Sequence, residues 1–424
     1  MELLRRPEIS IRCRLTDKIK AFITSGGSPL EPKQIRMSSP DISQAEIDSV
    51  MEVLRSSDLS MGGKIRAFEE EMARISGTQY AVGVSSGTAG LHLSVIVAGI
   101  GAGDLVVTTP FSFIASSNCF LYEGAIPIFV DVEDQTGNLD SLLVDEAVEA
   151  LKSGGKAAEK YLPRSMSKSK KGLEAVKAIL AVNVFLQAAD FDQLIDIAHR
   201  HNIRIIEDAC ETIGAGYKDR LAGSLGDIGV MAFYPNKQMT TGEGGVITTN
   251  NQAWAEAARS LRNQGRKIGG AWLEHDRLGY NYRLDEMSAA FGLAQAKRLP
   301  ELLEKRRRVA FWYEERLRDL ELVRLPHIAP YTTAVSWFVY VIRILPPAQR
   351  DVIIGKLAQT GIPSRKYFSP IHLQSFYRER FGYQPGDFPV TERLGEESLA
   401  LPFSGVITED QVDAVCFALH KALD

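Results

Sequence analysis

The sequence predicts an α/β fold in which a mainly parallel β-sheet is covered by helices on both faces. Apolar runs of strand length alternate with segments of helical length between residues 80 and 249. This alternation is typical of strand–helix–strand crossovers, whose helices bury both sides of a sheet. Several of the apolar runs end in polar or glycine-rich turns. Because ligands of such sheets bind beyond the carboxyl ends of the strands, these turns are candidate site segments.

The order of the elements divides the chain into three predicted parts. Residues 1–35 have a loop-like composition and form a leader of unknown role. Residues 36–297 form a large domain that begins with two amphipathic helices, at 40–55 and 65–75. Residues 298–424 form a smaller domain with a charged helix at 298–320, a strand at 334–344 and a helix at 352–361.

Seven strands and the helices between them are predicted for the large domain. The predicted strands are 80–84, 105–109, 126–132, 178–185, 203–208, 228–233 and 244–249. The predicted helices are 89–100, 193–201 and one that begins near 111. Between the third and fourth strands, residues 152–171 are rich in lysine, serine and glycine. We expect a solvated loop there, with contact to a ligand or partner as the alternative.

Composition excludes several classes of protein. The formal net charge of -4 offers no electrostatic basis for binding nucleic acid or an anionic membrane surface. The four cysteines are scattered, which predicts reduced thiols in a cytoplasmic protein and no metal site. There is no apolar run of eighteen residues, and the first residues lack the apolar core of a signal peptide. We therefore expect no membrane association.

A serine-rich turn after the first strand is a candidate anion site. Ser85, Ser86, Gly87 and Thr88 lie between that strand and the helix at 89–100. The amides at a helix N-terminus and the positive end of its dipole favour a phosphate, and a glycine lets the phosphate come close to the backbone. The alternative is ordinary capping of the helix by a serine or threonine hydroxyl.

Asp208 stands at the end of a buried strand, where an unpaired charge is costly. Its carboxylate therefore needs a partner. An arginine or a helix cap would make Asp208 structural. The protonated ring nitrogen of a cofactor would make it functional.

Lys237 lies in the segment AFYPNKQMTTGEGG, which connects two predicted core strands. Next to a packed core, a lysine can lose its proton and act as an amine nucleophile toward a carbonyl. The alternative is a lysine on a solvated surface turn. Pyridoxal phosphate (PLP) needs a phosphate cradle, an anion beside its ring nitrogen and a Schiff-base lysine, so the three sites in this order favour PLP.

Six motifs make the chain similar to the DegT/DnrJ/StrS family of sugar aminotransferases, which are PLP enzymes of fold type I. They run in family order from about residue 36 to the C-terminus. The motifs are SSGTAGLHL from Ser85, TTPFSFIASSN from Thr108, IEDACETIGAGY from Ile206, GSLGDIGVMAFYPNKQMTTGEGG from Gly223, GYNYRLDEMSAAFG from Gly279, and YFSPIHLQSFYRERFGYQPGDFPVTE from Tyr367.

The resemblance implies roles for individual residues. Lys237 would bind the cofactor covalently and shuttle a proton, and Asp208 would pair with the ring nitrogen. Gly87 and Thr88 would hold the phosphate, while Phe113 would stack on the ring.

The resemblance also implies contributions from other parts of the chain. Asn281 would reach the phosphate bound by a neighbouring subunit, so the active sites of a homodimer would be shared. Arg283 is a candidate for an anionic group of the substrate, with a structural surface role as its alternative. His372 could contact substrate or be a buried structural histidine.

Three positions depart from the commonest family pattern. Ala232 replaces a serine that often contacts the phosphate. Glu211 replaces a glutamine near the cofactor's phenolic oxygen, so we expect it to be protonated, paired with a cation or turned away. Leu186 replaces a glycine, which puts the backbone conformation of that loop in question.

The sequence therefore predicts a cytoplasmic aminotransferase that moves an amino group from an amino acid, with L-glutamate as the expected donor, to a nucleotide-linked keto sugar. Such enzymes serve polysaccharide or glycoside biosynthesis. Two alternatives remain open. One is a PLP-dependent dehydratase, a branch in which histidine replaces the lysine, so Lys237 argues against it. The other is a non-catalytic PLP-binding regulator.

Overall fold

The computed structural model describes residues 35–166 and 176–424. Residues 36–424 form one compact unit. Residues 1–34, which make up nearly all of the predicted leader, lie outside the described residues, as does the 167–171 part of the lysine-rich segment. In the rest of that segment, the end of one helix and the short helix Gly155–Glu159 are followed by turns at 160–166. The predicted boundary at residue 298 stays a prediction.

The described residues contain fourteen strands, fourteen α-helices and a short 3₁₀ helix at Ile371–Leu373. The strands are β1 (Tyr80–Val84), β2 (Leu105–Thr108), β3 (Ile126–Phe129), β4 (Val176–Val182), β5 (Arg204–Asp208), β6 (Gly216–Tyr217), β7 (Arg220–Leu221), β8 (Ile228–Ala232), β9 (Gly245–Thr249), β10 (Val323–Arg324), β11 (Thr332–Ala334), β12 (Tyr340–Ile344), β13 (Arg365–Lys366) and β14 (Ser398–Leu401).

The α-helices are α1 (Gln44–Leu54), α2 (Gly63–Ser76), α3 (Gly87–Val97), α4 (Ala115–Leu121), α5 (Ser141–Ser153), α6 (Gly155–Glu159), α7 (Phe191–His201), α8 (Gln252–Leu261), α9 (Glu286–Lys297), α10 (Leu299–Leu317), α11 (Arg350–Gln359), α12 (Ser375–Phe381), α13 (Pro389–Glu397) and α14 (Glu409–Leu423). Over the described ranges, no helix is both long enough and apolar enough to cross a membrane.

The central sheet has seven strands in the order β1-β9-β8-β5-β4-β2-β3. Four neighbouring pairs are parallel, namely β8–β5, β5–β4, β4–β2 and β2–β3. The antiparallel pairs are those that β9 makes with β1 and β8. The predicted mainly parallel sheet is therefore confirmed, with β9 as the reversed strand.

Alternating side chains of the buried strands pack into two separate cores. On β4, Ala178 and Leu180 belong to one core cluster, whereas Ile179 and Ala181 belong to the other. Leu91 of α3 lies in the first cluster, and helices α5 and α7 contribute to the second. Because a strand buried on both faces needs apolar residues at consecutive positions, the continuous apolar run of β4 matches its location.

A second sheet is built from the C-terminal part of the chain. Its four strands have the order β10-β12-β14-β13, and all of its pairs are antiparallel. Helix α14 begins with a capping box at Thr408, whose hydroxyl accepts the Gln411 amide.

The predicted strand at 334–344 is wrong as a single element. Ala334 belongs to β11, which pairs with β6 in a separate small sheet, and β12 begins only at Tyr340. The residues between them bind a loop instead of a sheet, because the Ser336 amide donates to Leu186 O and the Phe338 amide donates to Phe185 O. This crossing brings Phe338 to the ends of the central strands.

Glu286 caps helix α2 from a distant position in the chain. The N-cap residue of α2 is Gly62, which has no side chain to accept a hydrogen bond. The buried Glu286 carboxylate accepts the amides of Gly62 at 2.8 Å, Lys64 at 2.7 Å and Ile65 at 3.2 Å. A negative charge at a helix N-terminus also complements the helix dipole.

We expect Glu286→Ala to lower the free energy of unfolding by about 2 kcal/mol, because three partly buried amides lose their acceptor. Chemical denaturation measures the change. The control is Glu304→Ala, which removes an exposed surface partner of Arg307 and should change stability by less than about 0.5 kcal/mol. Equal losses in the two variants would contradict the capping role.

Candidate active site

The candidate site lies at the carboxyl ends of β5 and β8 and at the start of α3. Asp208 ends β5, and Lys237 follows β8 by five residues. Gly87 opens α3, and a Cβ atom built on it would lie 2.6 Å from the Ala232 Cβ and 3.1 Å from the Cys210 Sγ. The fold therefore brings together the three segments that the sequence singled out, and only glycine fits at position 87.

Asp208 is a buried carboxylate that lacks a cationic partner. Its side chain is 5% exposed. Oδ2 accepts the Ser116 hydroxyl at 2.7 Å, and Oδ1 accepts the Cys210 amide at 3.1 Å. No lysine, arginine or histidine within the described ranges forms an ion pair with it. The structural alternative of an arginine partner is therefore excluded for this part of the chain.

The neighbouring Glu207 shows how a carboxylate is satisfied when its role is structural. Its side chain is fully buried and accepts the amides of Gly223 and Leu225, each at 2.8 Å, and the Asn183 side chain at 2.8 Å. These contacts fasten the loop before β8 to β5. Asp208, one residue later on the opposite face of the strand, has far fewer donors.

Lys237 is held in a tight turn after β8. Its amide donates to Tyr234 O at 2.9 Å, and Pro235 stands at the second position of this turn, where its restricted φ is favourable. The side chain is 13% exposed. Its Nζ lies 3.7 Å from Glu211 Oε1 and 3.7 Å from the centre of the Phe338 ring. The alternative of a solvated surface lysine does not fit these contacts.

Glu211 is paired with a cation, which is one of the three states expected for it. Besides the contact with Lys237, its Oε2 accepts the Phe185 amide at 2.9 Å. Burial raises the pKa of the Glu211 carboxyl above its ordinary value of 4.5, and the nearby Lys237 charge opposes that rise.

The strained residue of the neighbouring loop is Phe185 and not Leu186. Phe185 has a φ of 63°, in the left-handed region that bulky residues rarely adopt. The Leu186 amide donates to Val184 O at 2.8 Å, which closes a three-residue turn around Phe185. The hydrogen bond from Phe185 to Glu211 helps to hold this turn. Replacement of glycine at position 186 is tolerated because the left-handed residue is its neighbour.

The first turn of α3 offers amides to an anion. Ser86 is the N-cap, and its hydroxyl accepts the Ala89 amide at 3.1 Å. Capping, the structural alternative, is thus present. The amides of Gly87 and Thr88 come earlier in the helix, where no acceptor exists within the helix itself. They remain suited to a phosphate group.

Phe113 is 63% exposed and stands just before α4. The same segment reaches Asp208, because the Ser112 and Ser116 hydroxyls are 2.8 Å apart and Ser116 donates to Asp208. A ring at this place can cover a flat ligand bound above Asp208. The predicted stacking role stays a prediction.

Asn281, Arg283 and His372 are not joined to this cluster by any contact among the described residues. Asn281 is exposed. Arg283 Nη1 donates to the side chains of Asn263 at 2.8 Å and Gln264 at 2.7 Å, which favours the structural alternative for this arginine. His372 is fully buried with Nε2 at 3.0 Å from Glu392, and burial lowers its pKa. Its enclosure favours the structural role.

Two residues of the site were not singled out by sequence reasoning. Ser116 lies within the motif TTPFSFIASSN, but its hydrogen bond to Asp208 spans 92 positions of the chain. Phe338 gives no local signal at all, because a single aromatic residue in a strand-like run is typical of a core. Its contact with Lys237 depends on how the chain crosses between the two sheets.

The donor set fits PLP. A buried carboxylate without a cation suits a protonated ring nitrogen, and the first-turn amides of α3 suit a phosphate. Lys237 offers a primary amine beside both. A ligand with these three groups would satisfy the charge of Asp208, which forms no ion pair within the described part of the chain.

The chain matches a model of the DegT/DnrJ/EryC1/StrS aminotransferase family over residues 40–420. A GDP-perosamine synthase of Caulobacter vibrioides is 35% identical over 395 residues, which cover 92% of this chain and 98% of that protein. A pleiotropic regulatory protein of Geobacillus stearothermophilus is 32% identical over 364 residues, covering 85% and 89%. The crystal structure of a Brucella abortus aminotransferase of this family has a TM-score of 0.78 at 28% identity, covering 89% and 95%.

Glu211→Gln should change how stability depends on pH. Because burial raises the pKa of Glu211, the folded chain holds this proton more tightly than the unfolded chain does. Wild-type stability should therefore fall as the pH rises from 4.5 through the raised folded-state pKa, and the glutamine variant should lack this loss.

Thermal midpoints of the cofactor-free proteins between pH 4 and pH 8 test the difference. The control is Glu409→Gln, since Glu409 is exposed and pairs with Arg316 away from the site. Parallel curves for wild type and Glu211→Gln would show that this carboxyl is not perturbed.

Proposed function

The chain belongs to the DegT/DnrJ/EryC1/StrS aminotransferase family, and from this premise we propose that it uses PLP to transfer an amino group from L-glutamate to a nucleotide-linked keto sugar. Structural relatives of fold type I agree with the predicted fold class. The observation that carries the cofactor assignment is the buried Asp208 carboxylate, which forms no ion pair with any described residue and lies in one cluster with Lys237. The 35% identity to a GDP-perosamine synthase supports the substrate class.

Four residues would hold the cofactor. The amides of Gly87 and Thr88 would bind its phosphate, Asp208 would keep its ring nitrogen protonated, and Phe113 would cover its ring. PLP, when bound, supplies an electron sink that stabilises negative charge at the carbon bearing the amino group. Asp208 preserves this property because its carboxylate favours the protonated ring.

Lys237 would act first as the anchoring amine and then as the proton shuttle. After the amino donor has replaced it, its Nζ would be free to take the proton from the α-carbon of the donor. Nζ would then return this proton later in the transfer. Glu211 and the Phe338 ring, each 3.7 Å from Nζ, would hold the side chain within reach during this step. The enclosing residues also limit the access of water to the amine.

We also propose that the enzyme is a homodimer in which Asn281 of one subunit reaches the phosphate in the other. One observation supports the arrangement. Asn281 is exposed and has no described contact with Lys237 or Asp208 of its own chain. The cytoplasmic location remains a prediction.

The two alternatives differ from this proposal in what Lys237 does. A dehydratase of this fold would have a histidine in place of the lysine. A regulator would bind the cofactor without turnover, and the relative named a pleiotropic regulatory protein keeps this alternative open. Transamination between L-glutamate and a panel of nucleotide-linked keto sugars separates the enzyme from the regulator.

Lys237→Ala should retain the fold and lose at least on the order of a thousandfold in transamination rate, because both the anchoring amine and the proton shuttle are gone. Borohydride reduction of PLP-loaded wild type should fix the cofactor mass on the peptide that contains Lys237. The control is Lys421→Ala in α14, which should match wild type in both assays. Labelling of another lysine would refute the assignment, as would a Lys237 variant within tenfold of wild type.

Mixing two inactive variants should restore activity if the sites are shared. Lys237→Ala and Asn281→Ala homodimers are each impaired at both sites. In a mixed dimer one site carries both changes and the other carries neither. The expected result is recovery of about half the activity per mixed dimer. A mixture that forms heterodimers, shown by native mass spectrometry, without recovering activity would place Asn281 outside its partner's site.

A further inference from the structure

Arg306 is a buried arginine in α10 that forms no ion pair with a described carboxylate, although the charge of Asp41 acts on it from beyond ion-pair distance. It is 3% exposed, and burial lowers its pKa to about 10. No aspartate or glutamate within the described ranges forms an ion pair with it. Another enclosed arginine of the same helix, Arg316, is different, because Glu409 and Asp413 neutralise it. Burying a charge without a counter-ion is costly, so the contacts of Arg306 need an explanation.

The guanidinium of Arg306 binds main-chain carbonyls of two segments. Nη2 donates to Lys237 O at 2.7 Å and to Asn236 O at 3.1 Å. Nη1 donates to Phe338 O at 3.0 Å, with a longer contact of 3.4 Å to Trp337 O. The planar guanidinium presents its donors in a fixed geometry, which a lysine ammonium cannot reproduce.

These two segments are the ones that set the position of the Lys237 amine. One is the turn that carries Lys237 itself. The other carries Phe338, whose ring lies 3.7 Å from Nζ. The two segments are 101 positions apart in the chain, since one follows β8 and the other lies between β11 and β12. The Arg306 side chain therefore joins the backbone of Lys237 to the backbone of Phe338, whose ring contacts the Lys237 amine.

We propose that Arg306 is a positioning residue that joins the Lys237 turn to the Phe338 segment and thereby sets the orientation of the Lys237 amine. The inference rests on the proposed function of Lys237. Packing alone would not require a charge here, because an apolar residue of similar volume fills a core at lower cost. The main-chain carbonyls explain why an arginine stands here, since the enclosed oxygens of Lys237 and Phe338 would otherwise lack the Arg306 donor.

The main test is Arg306→Lys, which keeps the charge but cannot serve both segments. The rate at which added PLP becomes attached to Lys237 in stripped protein is followed by absorbance, and borohydride trapping verifies the labelled peptide. We expect attachment to slow by about tenfold or more, because misplacement of a reacting group by ~1 Å can cost that much or more. In the half-reaction with L-glutamate, the maximal rate should fall while the half-saturating concentration stays within about threefold.

The matched control is Arg316→Lys, which perturbs an enclosed arginine of the same helix away from the site. It should lower the thermal midpoint but leave the attachment rate within about twofold of wild type. An Arg306→Lys protein that attaches PLP at the wild-type rate would overturn the inference. Equal slowing in Arg316→Lys would also overturn it, since that would show a general loss of stability. If wild type itself does not attach PLP at Lys237, the proposed function fails, which is a separate result.

A second variant keeps the test decisive if Arg306→Lys does not fold. The Arg306 guanidinium lies 5.7 Å from the centre of the Phe403 ring. Phe403→Leu removes this ring, retains the charge and should loosen the guanidinium. We expect slower attachment in the same assay, by about threefold or more. A folded Phe403→Leu protein with the wild-type attachment rate would overturn the inference.

Discussion

The buried Asp208 carboxylate is the constraint on which the site depends. A charge at the end of a buried strand is tolerated only with compensation, and the hydrogen bonds that Asp208 accepts from the described residues come from one hydroxyl and one amide. Both donors come from segments that reach the carboxyl edge of the sheet, Ser116 at α4 and Cys210 just beyond β5. The missing compensation is the feature that favours a positively charged ligand group. A fold that placed an arginine there would be more stable alone and unsuited to the cofactor.

The segment between β11 and β12 also contributes to the site, because it contacts loops at the ends of the central strands. The residues between β11 and β12 bind the strained loop at Phe185 and Leu186, and the same loop donates to Glu211. Gln238, the residue after Lys237, donates to Glu211 O at 2.6 Å and to the Ser336 hydroxyl at 2.8 Å. Hydrogen bonds thus link the turn that carries Lys237, the segment that carries Glu211 and the residues between β11 and β12. With Arg306 added, movement of any one of them would displace the amine of Lys237.

Much of the fold was predictable because its signals are local. The strands of the central sheet are apolar runs bounded by turn residues, and their observed limits fall within a few positions of the expected ones. The failures came where distant segments compete for hydrogen bonds. Residues 334–344 have the composition of one strand, yet Ser336 and Phe338 bind the loop at 185–186. At position 186 a missing glycine suggested strain, but the turn places the left-handed conformation on Phe185.

By itself the sequence determined the mainly parallel α/β fold, the family and the three segments that carry Gly87, Asp208 and Lys237. These follow from residue types and their order along the chain. The tertiary structure alone shows why Asp208, which the family resemblance singles out, is available to a ligand while the adjacent Glu207 is not. Both end the same buried strand, but opposite faces of a strand meet different neighbours. Backbone amides of the loop before β8 surround Glu207, whereas Asp208 faces the cluster around Lys237 and forms no ion pair with a described residue.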